Sequence, residues 1–232
     1  MLEELQQKVV ECTLCPRLRE YCTNIATVKR RAWRDQEYWG KPVPAFGDPA
    51  ARIMVIGLAP GAHGSNRTGR MFTGDRSGDF LYTALHRTGF ASQPTSSARG
   101  DGLVLRDIWI TAAARCAPPD NRPTREEILN CRPFLEREMD LLGNLKVVVA
   151  LGRIAFDGYL DILKSRGAIA SRAPFAFGHN REFSTAPGLP LLVSSYHPSQ
   201  QNTSTGKLTL PMLVEVFRRA RNRAFVGARP SR

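Results

Sequence analysis

No stretch of this sequence approaches the roughly 18 uninterrupted apolar residues that a membrane-crossing helix needs. The opening residues, MLEELQQKVVECTLC, carry acids early and hold no apolar run of signal-peptide length, so a cytoplasmic chain, neither exported nor membrane-spanning, is expected. Acidic residues are few: 21 Asp and Glu stand against 33 Lys and Arg, for a formal charge of +12. A polyanion is the natural partner of such a surface, because each neutralised phosphate releases condensed counterions. A base excess confined to flexible ends would give the same count, and the stretch from about 218, RRARNRAFVGARPSR, is rich in Arg. The cysteines number five, an odd count that argues against a disulfide framework in an unexported chain. Both Gly-x-Gly-x-x-Gly and the lysine-bearing phosphate loop are missing, which disfavours nucleotide triphosphate hydrolysis. There is no internal repeat, and the one biased segment, SQPTSSARGDG at 92 to 102, reads as a polar loop.

What is present alternates between strand and helix. Residues 2 to 22 read as one helix with Leu2, Leu5, Val9 and Val10 on a side, followed by a loop rich in Pro, Trp and charge from about 30 to 50. IMVIGL (53 to 58), DIWITAAA (107 to 114), VVVALG (147 to 152) and LLVSS (from 191) are short apolar runs of buried-strand length. Between and after them, helices are expected over Asp79 to Thr88, Thr124 to Leu142, the segment ending near Lys164, and Leu208 to Phe225. Thr124 with Glu127 has capping-box spacing. This order predicts one domain over 1 to 232 with a basic tail, an α/β fold whose mostly parallel sheet is covered by helices on both faces, and ligands at the carboxyl ends of its strands.

Four of the cysteines fall in two groups: Cys12 and Cys15 as C-x2-C, and Cys116 and Cys131 at the ends of RCAPPDNRPTREEILNC. Four thiolates suit either tetrahedral zinc or an iron-sulfur cubane, and spacing alone does not choose. The wide second interval is unlike a zinc-ribbon knuckle and leans towards iron and sulfur. Cys22 reads as a small buried apolar residue. GLAPGAHGSNRTGRMFTGD (57 to 75) leaves a buried strand as a Gly-rich loop, and HPSQQNTSTGKLT (197 to 209) leaves a later one, so an imidazole and small polar groups face the same crevice.

The C-x2-C pair, GLAPGAHGSNRTGRMFTGD, RCAPPDNRPTREEILNC and HPSQQN, in this order along the chain, resemble the uracil-DNA glycosylase superfamily, specifically its type B, or family 5, iron-sulfur enzymes, over residues 12 to about 209. The resemblance implies a three-layer α/β/α fold with a four-stranded parallel sheet. It implies a structural [4Fe-4S] cluster on Cys12, Cys15, Cys116 and Cys131. It also implies a monofunctional glycosylase, acting as a monomer on DNA containing uracil or other deaminated bases such as hypoxanthine, and leaving an abasic site by base flipping. On that reading Ala59, Gly61, His63 and Phe72 hold the base, with Phe72 as the stacking face and backbone amides of 59 to 64 as donors. His197 stabilises the charge growing on the departing base.

The chain departs from the superfamily's best-known pattern at Ala59, where the customary water-activating Asp is missing. Asp75, Asn121 and Asn66 are the candidates to replace it, Asp75 foremost, with a helix cap as its ordinary alternative. Alanines at 112 to 114 replace a base-reading Asn and predict broader base tolerance. Asn66, Arg67, Asn202 and Lys207 are expected to contact DNA, with Arg70 and Arg76 as further phosphate grips. A metal-bearing nucleic-acid binding module without catalysis would explain the charge and the cysteines but neither loop. A redox or DNA-synthesis-associated iron-sulfur protein is the other alternative.

Overall fold

The computed structural model describes residues 1–226, so the last six residues of the basic tail lie outside the described residues. Its sheet has six strands in the order β1-β3-β2-β4-β6-β5. The four inner strands, β3 (Ile108–Ala112), β2 (Ile53–Gly57), β4 (Val147–Leu151) and β6 (Leu191–Ser195), are parallel to one another. They are the four apolar runs expected from the sequence. The four-strand count needs correction at the edges, where β1 (Phe46–Gly47) and β5 (Arg181–Phe183) pair antiparallel. Both are only two or three residues long and partly exposed, so neither leaves an apolar run in the sequence.

Each inner strand is buried on both faces, and the pleat sends alternate residues to different helical layers. Ile53, Val55, Ile108, Ile110, Val147 and Val149 pack with Leu81 and Leu85 of α4 (Arg76–Arg87) and Leu213 and Phe217 of α8 (Leu210–Ala224). Met54, Ile56, Val148, Ala150 and Leu192 face Leu135 of α5 (Arg125–Leu141) and Phe156, Tyr159 and Leu160 of α6 (Arg153–Ser165). Each fully buried Val, Leu, Ile, Met or Phe among them contributes about 1.5–3 kcal/mol by leaving water.

The expected helix over 2 to 22 is two helices, α1 (Leu2–Val10) and α2 (Pro16–Val28). Proline at 16 lacks the N–H that a helix interior uses but fits a first turn, so the chain breaks before it, and Cys15 becomes the N-cap of α2. Two short helices, α3 (Ser65–Thr68) and α7 (Gln200–Ser204), sit inside the two motif loops. The capping box at the start of α5 is formed, the Glu127 amide donating to Thr124 Oγ1 at 3.2 Å and the Thr124 amide to Glu127 Oε2 at 2.7 Å. Much of the basic stretch from 218 is the last turns of α8, with Arg223 donating to Glu182 at 3.0 Å. No helix among the described residues is long and apolar enough to cross a membrane.

From β2 the chain moves to β3 on one side and then to β4 on the other, which opens a crevice between the carboxyl ends of β2 and β4. Both motif loops end at this crevice.

Candidate active site

The loop after β2 folds back so that Phe72 lies across the end of the strand that begins it. A Cβ built on Gly57 would stand 2.7 Å from Phe72 Cζ, so only glycine lets the ring lie on the strand end. Phe72 itself has φ +52°, a left-handed conformation that disfavours bulky residues. The ring is 9% exposed and its centroid stands 5.9 Å from the imidazole of His197, tilted by 30°. His197 follows β6, and its carbonyl accepts a 2.8 Å hydrogen bond from Asn202 Nδ2. Burial pushes the His197 imidazole down to about 4, so the ring is neutral near pH 7.

Asp75 does two things. Its Oδ1 accepts from the Gly78 amide at 3.0 Å, which makes it the N-cap of α4, the alternative role weighed from the sequence. Its Oδ2 lies against the glycine turn at 61 to 64, where a Cβ on Gly64 would come within 1.9 Å of it. A carboxylate oxygen therefore reaches the loop expected to hold the base. Burial raises the Asp75 carboxyl above the usual range, and the neighbouring amides only partly offset this.

The arginines of the first motif divide by burial. Arg67 is 8% exposed and donates through Nε to His63 O at 2.8 Å and through Nη2 to Gly74 O at 2.8 Å. Arg70 is 6% exposed and forms a two-pronged pair with Asp101 at 2.9 and 2.7 Å. Burial works against ionising Asp101, but this pair and three backbone amides hold its carboxyl below the usual range. Both arginines, expected at phosphate, are engaged with internal partners and brace the loop that carries Phe72 and Asp75. Asn66, also expected at DNA, is fully buried and donates to Cys22 O at 3.3 Å. Arg76 is exposed and lines a groove of about 390 Å³ between α4 and α7, with Asp79, Thr83, Thr203 and Ser204.

Of the remaining expected residues, Ala59 and Gly61 are partly exposed in the turn after β2. His63 sits beneath two aromatic side chains, its Nδ1 lying 3.2 Å from the Tyr38 hydroxyl. Burial, then Arg30 and Arg67, push its imidazole below the ordinary histidine value. Asn121 lies exposed in a 3-10 turn with φ +55°, and among the described hydrogen bonds its side chain reaches neither Asp75 nor His197. Asn202, expected to contact DNA, donates its side-chain amide to the His197 carbonyl. Lys207 is exposed, with its ammonium 5.0 Å from the Tyr196 ring.

Cys15, Cys22 and Cys116 pack with Leu18 and Ala117, and Ala62 of the base-side loop rests against them. Two N–H groups point at sulfur: Arg115 N to Cys131 Sγ at 3.4 Å and Asn130 Nδ2 to Cys15 Sγ at 3.5 Å. Burial, and behind it the neighbouring Cys116 and Cys12, raises the Cys15 thiol; burial, with Cys116 and Cys15 nearby, pushes Cys131 up to about 12. Cys22 is fully buried, as expected, and it also donates to Ala117 O at 3.5 Å and adjoins Cys116. Among the described residues no three His, Cys, Asp or Glu side chains converge tightly enough to hold a single metal ion.

Sequence reasoning missed the supports. Glu138, fully buried, accepts from Arg115 at 2.7 Å, Thr111 at 2.7 Å and Gln6 at 2.9 Å, which ties α1, β3, α5 and the segment carrying Cys116 together. It also missed Tyr38 and Trp33 over His63, for which the only sequence signal was an aromatic and basic loop.

A family model described as the uracil DNA glycosylase superfamily matches residues 44–221. A type-5 uracil-DNA glycosylase of Mycobacterium leprae is 48% identical over 224 residues, 96% of each chain. The type-5 uracil-DNA glycosylase of Thermus thermophilus is 48% identical over 222 residues, 96% of this chain and 98% of the relative. That of Pyrobaculum aerophilum is 44% identical over 218 residues, 94% and 91% of the two chains.

Proposed function

The chain belongs to the uracil DNA glycosylase superfamily and hydrolyses the N-glycosidic bond of uracil in DNA, and from that premise we propose how its own residues perform the reaction. The nucleotide leaves the duplex stack, at a cost that is lowest for a mispaired base. The base enters the crevice at the carboxyl ends of β2 and β4, beside the loop that follows β6, and lies on the ring of Phe72. As the glycosidic bond lengthens, negative charge grows on the base. A neutral His197 donates an N–H to the oxygen that carries it, and amides of the 59 to 64 turn add further donors. A charged imidazolium is not needed, which agrees with the lowered His197 value.

The sugar meanwhile acquires positive charge, and Asp75 answers it. As an anion against the glycine turn, its carboxylate stabilises the cation and orients a water on the far face of the sugar. Its raised proton affinity suits it to accept a proton from that water. Asn121 is the second candidate for holding the water. Small alanines at 112 to 114 leave the base edge without a side-chain reader, so hypoxanthine and other deaminated bases are accepted alongside uracil.

The observation that carries this reading is one loop presenting Phe72 to His197 at 5.9 Å while its Asp75 carboxylate meets the glycine turn. A duplex with a single uracil, incubated with the protein and then with alkali, tests it. Strand cleavage at the uracil is expected, and an intact strand after uracil and hypoxanthine substrates overturns it.

Cys12, Cys15, Cys116 and Cys131 are the proposed ligands of a [4Fe-4S] cluster. The support is the donor set: four thiols from two segments, Cys15 and Cys116 of them packed in one small apolar patch, with N–H groups aimed at the sulfurs of Cys15 and Cys131. A cubane offers each thiolate its own iron corner, so the four need not meet at one point. When bound, the cluster supplies a covalent clamp; hydrolysis of a glycosidic bond transfers no electrons. The four cysteines join the α1–α2 turn to the start of α5, directly behind Ala62 and the base-side loop. Absorbance near about 400 nm with iron and sulfide analysis is the test, and stoichiometric zinc without sulfide would refute it.

A further inference from the structure

Residues 29 to 41 form a strap that lies ahead of the matched superfamily span, which begins at 44. Lys29, with φ +56°, turns the chain out of α2. From there the strap runs across α3, fastened at several points. Trp39 N donates to Arg67 O at 2.9 Å, and Gly40 N donates to Asn66 O at 3.0 Å. The buried Tyr38 hydroxyl stands 3.2 Å from His63, and the Trp33 ring lies 4.4 Å under the Arg67 guanidinium. Trp39 packs on Gly69, where a Cβ would come within 2.7 Å of its ring. These fastenings fix the strap on the rim of the base-side loop, at the carboxyl end of the sheet.

The strap holds five cations, Lys29, Arg30, Arg31, Arg34 and Lys41, against two acids, Asp35 and Glu37. Arg30, Arg31 and Arg34 are all exposed, and none enters an ion pair among the described residues. Arg30 stands 5.6 Å over Trp33, and Arg99 stands 4.6 Å over Trp39. The two indoles thus carry Arg30 and Arg99 on their faces, with Arg31 and Arg34 exposed on the same strap.

We propose that this strap is a phosphate clamp, in which Arg30, Arg31 and Arg34 grip the backbone of the DNA strand next to the extruded nucleotide. It rests on the reading of the chain as acting on DNA, and it takes over the role that Arg67 and Arg70, being internal, do not fill. Cations on a fastened strap are already aimed when the strand arrives, so less side-chain ordering opposes binding than in a loose tail.

The test is the salt dependence of binding to a labelled duplex without uracil. Each phosphate contact contributes about 0.9 to the slope of log affinity against log salt. Arg30→Ala, Arg31→Ala and Arg34→Ala together should lower that slope by about two to three. The same three positions changed to Lys should keep it, because the charge remains. Lys164→Ala, at the far end of α6 from the crevice, should leave it unaltered. A slope unchanged by the triple alanine protein overturns the clamp and points to an acidic protein surface as the strap's partner. A slope lowered equally by the lysine protein also overturns it, since charge would then not be the cause. Uracil release by the wild-type protein is followed separately. Its absence would count against the glycosylase reading, whereas the slope on uracil-free DNA judges the strap alone.

Discussion

Replacing His197 with Ala probes the electrostatics of the crevice through two linked measurements. Burial moves this imidazole from its ordinary 6.5 to about 4. It therefore stays neutral over the range in which exposed histidines charge, and it offers an N–H throughout. Single-turnover uracil release should show no inflection belonging to His197 between about pH 8 and 5. Loss of the donor should slow release by roughly two to three powers of ten, the scale found when one preorganised oxyanion donor is removed. Stability carries the same signature. Below pH 6.5 the unfolded chain takes up a proton that the folded chain refuses until about 4. The contribution is full above 6.5 and is lost as pH falls to the folded value. At about 1.4 kcal/mol per tenfold change in proton affinity, the loss reaches about 3 kcal/mol. His197→Ala escapes this penalty, so denaturant melts of the two proteins should move in the variant's favour between pH 7 and 4. A wild-type rate with an inflection near 6.5 that disappears in the variant would refute the reasoning, because the imidazole would then titrate as an exposed one. A variant with near wild-type rate would remove His197 from the chemistry.

Asp75→Asn separates cap from charge, since Asn caps helices about as well as Asp; release should slow by about a hundredfold or more with stability kept, and an unaltered single-turnover rate would leave Asp75 as a cap alone. Asn121→Ala, if that residue holds the water, should slow chemistry more than DNA binding, and weaker binding with an unaltered rate would contradict it. Cys116→Ser should give colourless, poorly folded protein, whereas a brown and stable product would show that Cys116 is not a ligand. Glu138→Gln leaves Arg115 buried without its counter-charge and should cost about 3–5 kcal/mol in urea melts, while Arg115→Met with Glu138→Leu should recover much of it; equal losses in both would show that the pair itself stabilises the fold.

The sequence alone determined the α/β class, because strands buried on both faces must be unbroken apolar runs, and four such runs are there to be counted. It likewise determined the start of α5 from Thr124 and Glu127, and the two loops that bring Phe72, Asp75 and His197 to the crevice. Those are local signals, carried by neighbours along the chain. Edge strands of two or three residues leave no such signal, and the break before Pro16 was hidden by a helical pattern that continues on both sides of it. Tertiary structure decided which charges are free. Arg67 and Arg70 read as surface cations, yet burial and partners as far as 31 residues away along the chain turn them into braces. Arg30, Arg31 and Arg34 stay exposed and enter no ion pair among the described residues, which is why the proposed clamp is placed there. Glu138 needs partners at positions 6, 111 and 115, and no reading along one helix could assemble them. Residue types and short-range spacing set what the chain can do chemically, while long-range packing assigns each charge either to the interior or to the surface.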